Sequence, residues 1–347
     1  MGETVSADHI LETRGTSTNF DAFVLAASFD REGGQAAFGL GDGTVRLLSR
    51  ANPQAWITAE AHDGALLSLA QNTAQTGFVT GGDDGCLMRV AADGGTSRVQ
   101  KFGSRWVERV TSFADGKSRL LAASVGKILH VMDGAGTTLK SLEHPSTVTG
   151  IAFDPKGKRI AASHYNGASL WFVGSKTDNP RRLEWKGSHT GVVFSPDGDC
   201  VVTSMQENSL HGWRLSDGQH MRMSGYPTKT EALSFTRTGK WLASSGAESV
   251  VLWPFHGGGP MGKAPTELAG GDNVICTTLM THPQQDAVAA GFSDGLVVMA
   301  DINSARILPV AGTGRGPVSA IAWSADGTHL AFGTETGFAA VVDFTKR

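Results

Sequence analysis

The sequence predicts an all-β fold that grows by repetition: an eight-bladed β-propeller of four-stranded antiparallel blades. Three observations carry the prediction. A segment of three strand-like runs recurs eight times in 347 residues, beginning near 24, 66, 107, 148, 190, 230, 274 and 318. The step between copies is 40–44 residues, which matches the ~40–45 residues of a four-stranded blade. Glycine is abundant, 45 residues with no G-X-Y period, so tight turns and short strands are many. No convincing amphipathic helix interrupts them.

The clearest copies are VTGIAFDPKGKRIAASHYNGASLWF (148–172), VVFSPDGDCVVTSMQENSLHGWRL (192–215) and VSAIAWSADGTHLAFGTETGFAAVVDF (318–344). Weaker ones cover 24–48, 66–90, 110–133, 231–253 and 275–301. Each alternates apolar and polar residues in three runs, here named a, b and c, as in TGIAF, RIAAS and SLWF; alternation of this kind argues for half-buried strands. A more polar run, d, lies between each c and the next a, from AWITAEAH (55–62) to RILPVAG (306–312). There are seven d runs for eight a–b–c triplets. The missing one is expected from HILETR, about 9–14, which has the right length and pattern. It would complete the last blade and close the ring, pairing backbone groups that an open edge leaves bare. Residues 1–347 then read as one domain.

The turns FSPDG (194–198), WSADG (323–327) and FDPKG (153–157), the GDG (41–43) and SDG (293–295) before strand c, and the tryptophans ending strand c carry a resemblance. The chain resembles the WD40-repeat family over nearly its whole length. That resemblance implies a propeller with a flat face around the channel mouth, used mainly to hold other proteins. It also implies a hydrogen-bonded set: a His in the d–a loop, a Ser or Thr on b, an Asp in the b–c turn and a Trp on c. His62 and His144 match the first position, Thr80 the second, Asp42, Asp84 and Asp294 the third, and Trp171, Trp213 and Trp253 the fourth. The second copy comes closest to a full set, with Val90 standing where Trp would. Packing between blades is therefore expected to hold the fold.

Chemistry is hard to find. The net charge of −3 shows no basic excess for nucleic acid. Cys86, Cys200 and Cys276 are scattered and lack zinc spacing, which reads as a reducing, cytoplasmic compartment. No apolar leader and no run of 18 apolar residues is seen, so no membrane association is expected; Gly2 and Ser6 fit a myristoylation pattern only formally, beside Glu3. GxSxG, HExxH, Walker and EF-hand motifs are absent. Asp83–Asp84 reads as a turn pair. His220, Met221 and Met223 have soft-metal side chains, but alternate as a partly buried outer strand does. His189 opens a strand a and is expected to face the channel. No enzyme activity, cofactor or metal is expected.

Strand alternation opens the d–a and b–c loops on one face. The d–a loops offer Phe20, Asp63, Arg105, Trp106, Lys186, Tyr226, Lys229 and Arg315; the b–c turns offer Tyr165, Met205 and Phe292. These types dominate binding hot spots. On this face Arg105, Lys127, Lys186, Lys229 and Arg315 are interleaved with Asp42, Asp63, Asp83, Glu207 and Asp272, and these mixed signs argue against phosphate backbones. The expected function is a non-enzymatic scaffold, monomeric by itself, that holds other proteins on this face. The alternative is an enzyme or small-ligand binder using the central channel mouth.

Overall fold

The computed structural model of the protein describes residues 10–345. Gly2, Ser6 and His9 lie outside the described residues.

The strands form an all-β propeller, and its blade count corrects the expectation. Among the described residues seven hydrogen-bonded sheets are present, not eight. Six have four strands and one has six. The six-stranded sheet absorbs both the fourth and the fifth sequence copies. Arg159–Phe172 carries the b and c runs of the fourth copy, and Arg181–Phe194 carries its d run and the a run of the fifth. Local chain geometry explains the merger. The b–c connection is only Tyr165, Asn166 and Gly167, with φ of 66° at Asn166 and 136° at Gly167. The d–a connection shrinks to the residues around Gly187, so Tyr165 pairs Ser188 and His189 pairs Met205, and each ladder continues past a register shift, at Tyr165/Gly167 and at His189/Gly191. Elsewhere a real loop, such as 102–108, parts d from a.

Ring closure also differs from expectation. HILETR is not the closing strand: Ile10–Arg14 is a helical turn. The next five residues, Gly15–Asn19, pair antiparallel with Phe338–Asp343, from Gly15↔Val342 to Asn19↔Phe338. Leu11 explains the shift. It is buried with Val310, Phe338 and Val342, which pins the turn beneath the last sheet. The polypeptide then leaves through Gly15, where a Cβ would stand 2.5 Å from the Leu11 carbonyl. The β-branched GTSTN that follows suits a strand.

The core lies between the blades. Strand b of each sheet is packed on both faces, and Gln35–Leu40 and Ala287–Phe292 are buried at every position. Strand b also needs small residues. A Cβ at Gly291 would lie 2.4 Å from Val318, and one at Gly333 2.3 Å from Val24, each on the next blade. Innermost strands are stitched by hydroxyls: Thr277 Oγ1 donates to the Val318 carbonyl and Ser319 Oγ to the Val24 carbonyl, both at 2.6 Å. The second of these bonds joins the last blade to the first.

Candidate functional site

The d–a and b–c connections meet at one end of the ring, and buried polar sets hold them there. In the second blade His62 Nε2 lies 2.9 Å from Thr80 Oγ1 and His62 Nδ1 lies 3.0 Å from Asp84 Oδ1. Burial alone would raise the Asp84 carboxyl; the Cys86 amide and His62 outweigh it and hold it low. Gly85, at φ 79°, sits where a Cβ would meet the Gly103 carbonyl at 2.4 Å, so the b–c turn rests directly on the d–a loop that presents Trp106.

Other blades solve the same problem with different residues. Trp171 Nε1 donates to His144 Nε2 at 3.0 Å. Burial, aided by the neighbouring His164, pushes His144 down to about 4. Tyr226 takes the imidazole's place: Trp253 Nε1 donates to its hydroxyl at 2.6 Å, and Ser244 Oγ is also at 2.6 Å. His189 does not face the channel. It is fully buried, with Nδ1 2.7 Å from Thr203 Oγ1 and Nε2 2.9 Å from the Trp185 carbonyl. Trp213 packs against His189 and His211, its Nε1 unpartnered. Asp42 and Asp294 cap their own turns through the amides of Thr44 and Leu296.

Of the residues expected at the surface, Met205, Tyr226 and Phe292 are buried, at 3%, 8% and 2% exposure. Met205 and Phe292 end b strands pointing inward between blades, and Tyr226 is held by its hydroxyl, so none of the three can meet a partner. Phe20 is half-buried, edge-on to Trp56 at 5.3 Å and beneath Arg46. Arg315 lies over the Phe338 ring at 5.0 Å and reaches Glu12 at 3.6 Å. Asp63, Arg105 and Lys186 are exposed. Trp106 and Tyr165 stand out, with 57% and 56% of their surfaces bare.

Two of the concavities on this face hold these aromatic rings. At the channel mouth, a pocket of about 410 Å³ brings Trp106 and Lys229 together over Leu25, Leu67 and Val148. Its charges are mostly satisfied at home: Lys229 Nζ pairs Glu231 at 2.8 Å, and Arg109 Nε donates to the Thr149 carbonyl at 2.9 Å. Burial raises the Glu108 carboxyl. The second concavity, about 780 Å³, joins Tyr165 and Lys186 with Pro145, His164, Arg182 and Trp185. Leu25, Leu67, Glu108, Arg109 and Glu231 were missed from sequence; their signal was position, the first residues of strand a after each d–a loop.

Comparison with known proteins agrees with this architecture. Residues 136–171 match the family model "WD domain, G-beta repeat". The chain is 25% identical over 189 residues to "WD repeat-containing protein slp1" of Schizosaccharomyces pombe, covering 52% of this chain and 38% of that protein. It is 22% identical to "Autophagy-related protein 16" of Arabidopsis thaliana, covering 86% and 59%. To "Telomerase protein component 1" of Mus musculus it is 23% identical, covering 90% and 12%. It thus spans less than two thirds of each relative's length. Among solved structures, the computationally designed Ika8 protein superposes with a TM-score of 0.74 at 19% identity, covering 94% of this chain and 97% of that one, a likeness of fold. Blade architecture, the matched repeat and the relatives' names agree in one likeness: the chain folds as a β-propeller and is similar to WD40-repeat proteins.

Proposed function

We propose that this protein is a non-enzymatic scaffold that seats another protein on the face formed by its d–a and b–c connections. The observation that carries the reading is the pair of bare aromatic rings, Trp106 and Tyr165, each at the lip of a concavity on that face. Aromatic side chains standing in water are the usual anchors of an interface. They stand on connections already hydrogen-bonded into the ring, so docking orders little and loses little entropy. The channel-mouth pocket has an apolar floor and charges paired among themselves, which suits an inserted apolar side chain of the partner.

In the same reading the protein works as a monomer in the cytoplasm, where its three unpaired cysteines stay reduced. The relatives' names point to different processes, and none is carried over.

The test is affinity capture from native lysate with wild type beside a variant carrying Arg105→Glu, Trp106→Ala and Tyr165→Ala. All three side chains are exposed, so thermal unfolding of the variant should match wild type. A specific protein held by wild type and lost by the folded variant supports the reading. A partner held equally by both would move the site elsewhere.

A further inference from the structure

The opposite end of the ring is built by the a–b and c–d turns. There the a–b turns of the first three copies enclose a cavity of about 690 Å³, lined by Arg31, Thr73, Gln75, Asp115, Lys117 and Arg119. Arg31 is its unusual member. The guanidinium is half-buried and spends its bonds on neutral oxygens: Nε donates to the Asn72 carbonyl at 2.6 Å and Nη2 to Ser112 Oγ at 2.7 Å. Two other partly buried arginines have carboxylates, Arg50 with Asp326 at 2.9 Å and Arg159 with Asp154 at 2.8 Å, whereas Arg31, like Arg89, bonds to neutral oxygens. Among the described residues no carboxylate pairs with Arg31, and burial alone holds its guanidinium below the usual range.

The nearby acids are engaged by their own turns. Asp30 Oδ1 accepts from the amides of Gly34 and Gln35 at 2.8 and 3.2 Å. Asp115 Oδ1 accepts from those of Lys117 and Ser118 at 2.7 and 2.6 Å. Arg89 does not line the cavity; it donates to the Gly134 carbonyl at 2.6 Å, which the lining residue Thr73 approaches at 3.5 Å. A buried charge without a counter-charge is costly, and a guanidinium has five donors, of which these bonds use two.

We propose that this cavity is a binding site for a small, multiply charged oxyanion of the polyphosphate kind. Arg31 would hold it from within, Lys117 and Arg119 from the rim, and Thr73 and Gln75 would add neutral donors. The cation excess asks for more than one negative charge, and the cavity is larger than a single phosphate needs. Guanidinium forks match phosphate oxygens in pairs. The site lies across the ring from the partner face and does not depend on that face's role.

The probe is inorganic pyrophosphate, titrated calorimetrically into the whole protein, with inorganic phosphate beside it. The expected result is one site that prefers pyrophosphate and weakens as salt is raised. Arg31→Gln should weaken it by about tenfold or more, while Arg306→Gln, an exposed arginine elsewhere, should leave it unchanged. Lys117 and Arg119 are exposed, so the double variant Lys117→Gln/Arg119→Gln will fold and should weaken binding even if Arg31→Gln does not fold. No heat with pyrophosphate, or equal affinity in wild type and the Lys117/Arg119 double variant, would overturn the proposal.

Discussion

Tyr226 shows how a single residue bears on the face without touching its surface. Its hydroxyl meets Ser244 and Trp253, and burial pushes it up to about 12. Tyr226→Phe keeps the ring but strands the buried Trp253 Nε1–H, while Ser244 Oγ keeps the Val251 carbonyl at 3.2 Å; the cost should be about 1–3 kcal/mol, and chemical denaturation will read it. The buried histidines make a second prediction. His144 is held down to about 4, by burial and then His164, and His211 down to about 3, by burial and then His220. Both folded values lie below the ordinary 6.5, so the native state binds fewer protons than the unfolded chain. Stability should be full above about pH 6.5 and fall as pH drops toward 4, by on the order of 3 kcal/mol for His144. Thermal unfolding across that window should show the decline, and His144→Gln should make it shallower by its own share, leaving that of His211. His62, Thr80 and Asp84 were legible in sequence because residue type and spacing agree. Tyr226 was not, because a phenol does the work of an imidazole. His189 was not, because its position is offset along a strand that has no loop before it.

At the scale of an element, the closing strand decides most. Gly15–Asn19 supplies the outer partner of Phe338–Asp343, and Leu11 anchors the turn before it. Deleting residues 1–19 should cost on the order of 5 kcal/mol, from a lost strand ladder and uncovered apolar side chains. Melting temperature would read the loss. Unchanged melting would mean that the last blade does not need this strand. Sequence counting located a missing strand near the N-terminus but placed it on HILETR. The reason is physical: a short run with two adjacent apolar residues fits a helical turn as well as a strand. Leu11, with a pocket to fill, decided between them.

For the whole molecule, the repeat was legible and the number of sheets was not. Eight copies stand in the sequence, but hydrogen bonding runs on through the short connections at 165–167 and 187–188, and seven sheets result. Copy number is written in residue spacing; sheet number depends on whether a loop breaks the ladder. The candidate face was legible as a set of loops, because alternation fixes which end each loop occupies. Which loop residues point outward was not, since the last residue of a b strand turns inward, as at Met205 and Phe292. The two proposals place separable roles at the ring's two ends, a partner face and a cationic cavity. The measurement that tests the central claim most directly is hydrogen exchange on the complex with the captured partner. Protection should rise at 104–109 and 164–167 and stay level at the a–b turns 30–34, 72–77 and 115–118. Protection confined to those turns or to the outer strands, with 104–109 unchanged, would contradict it.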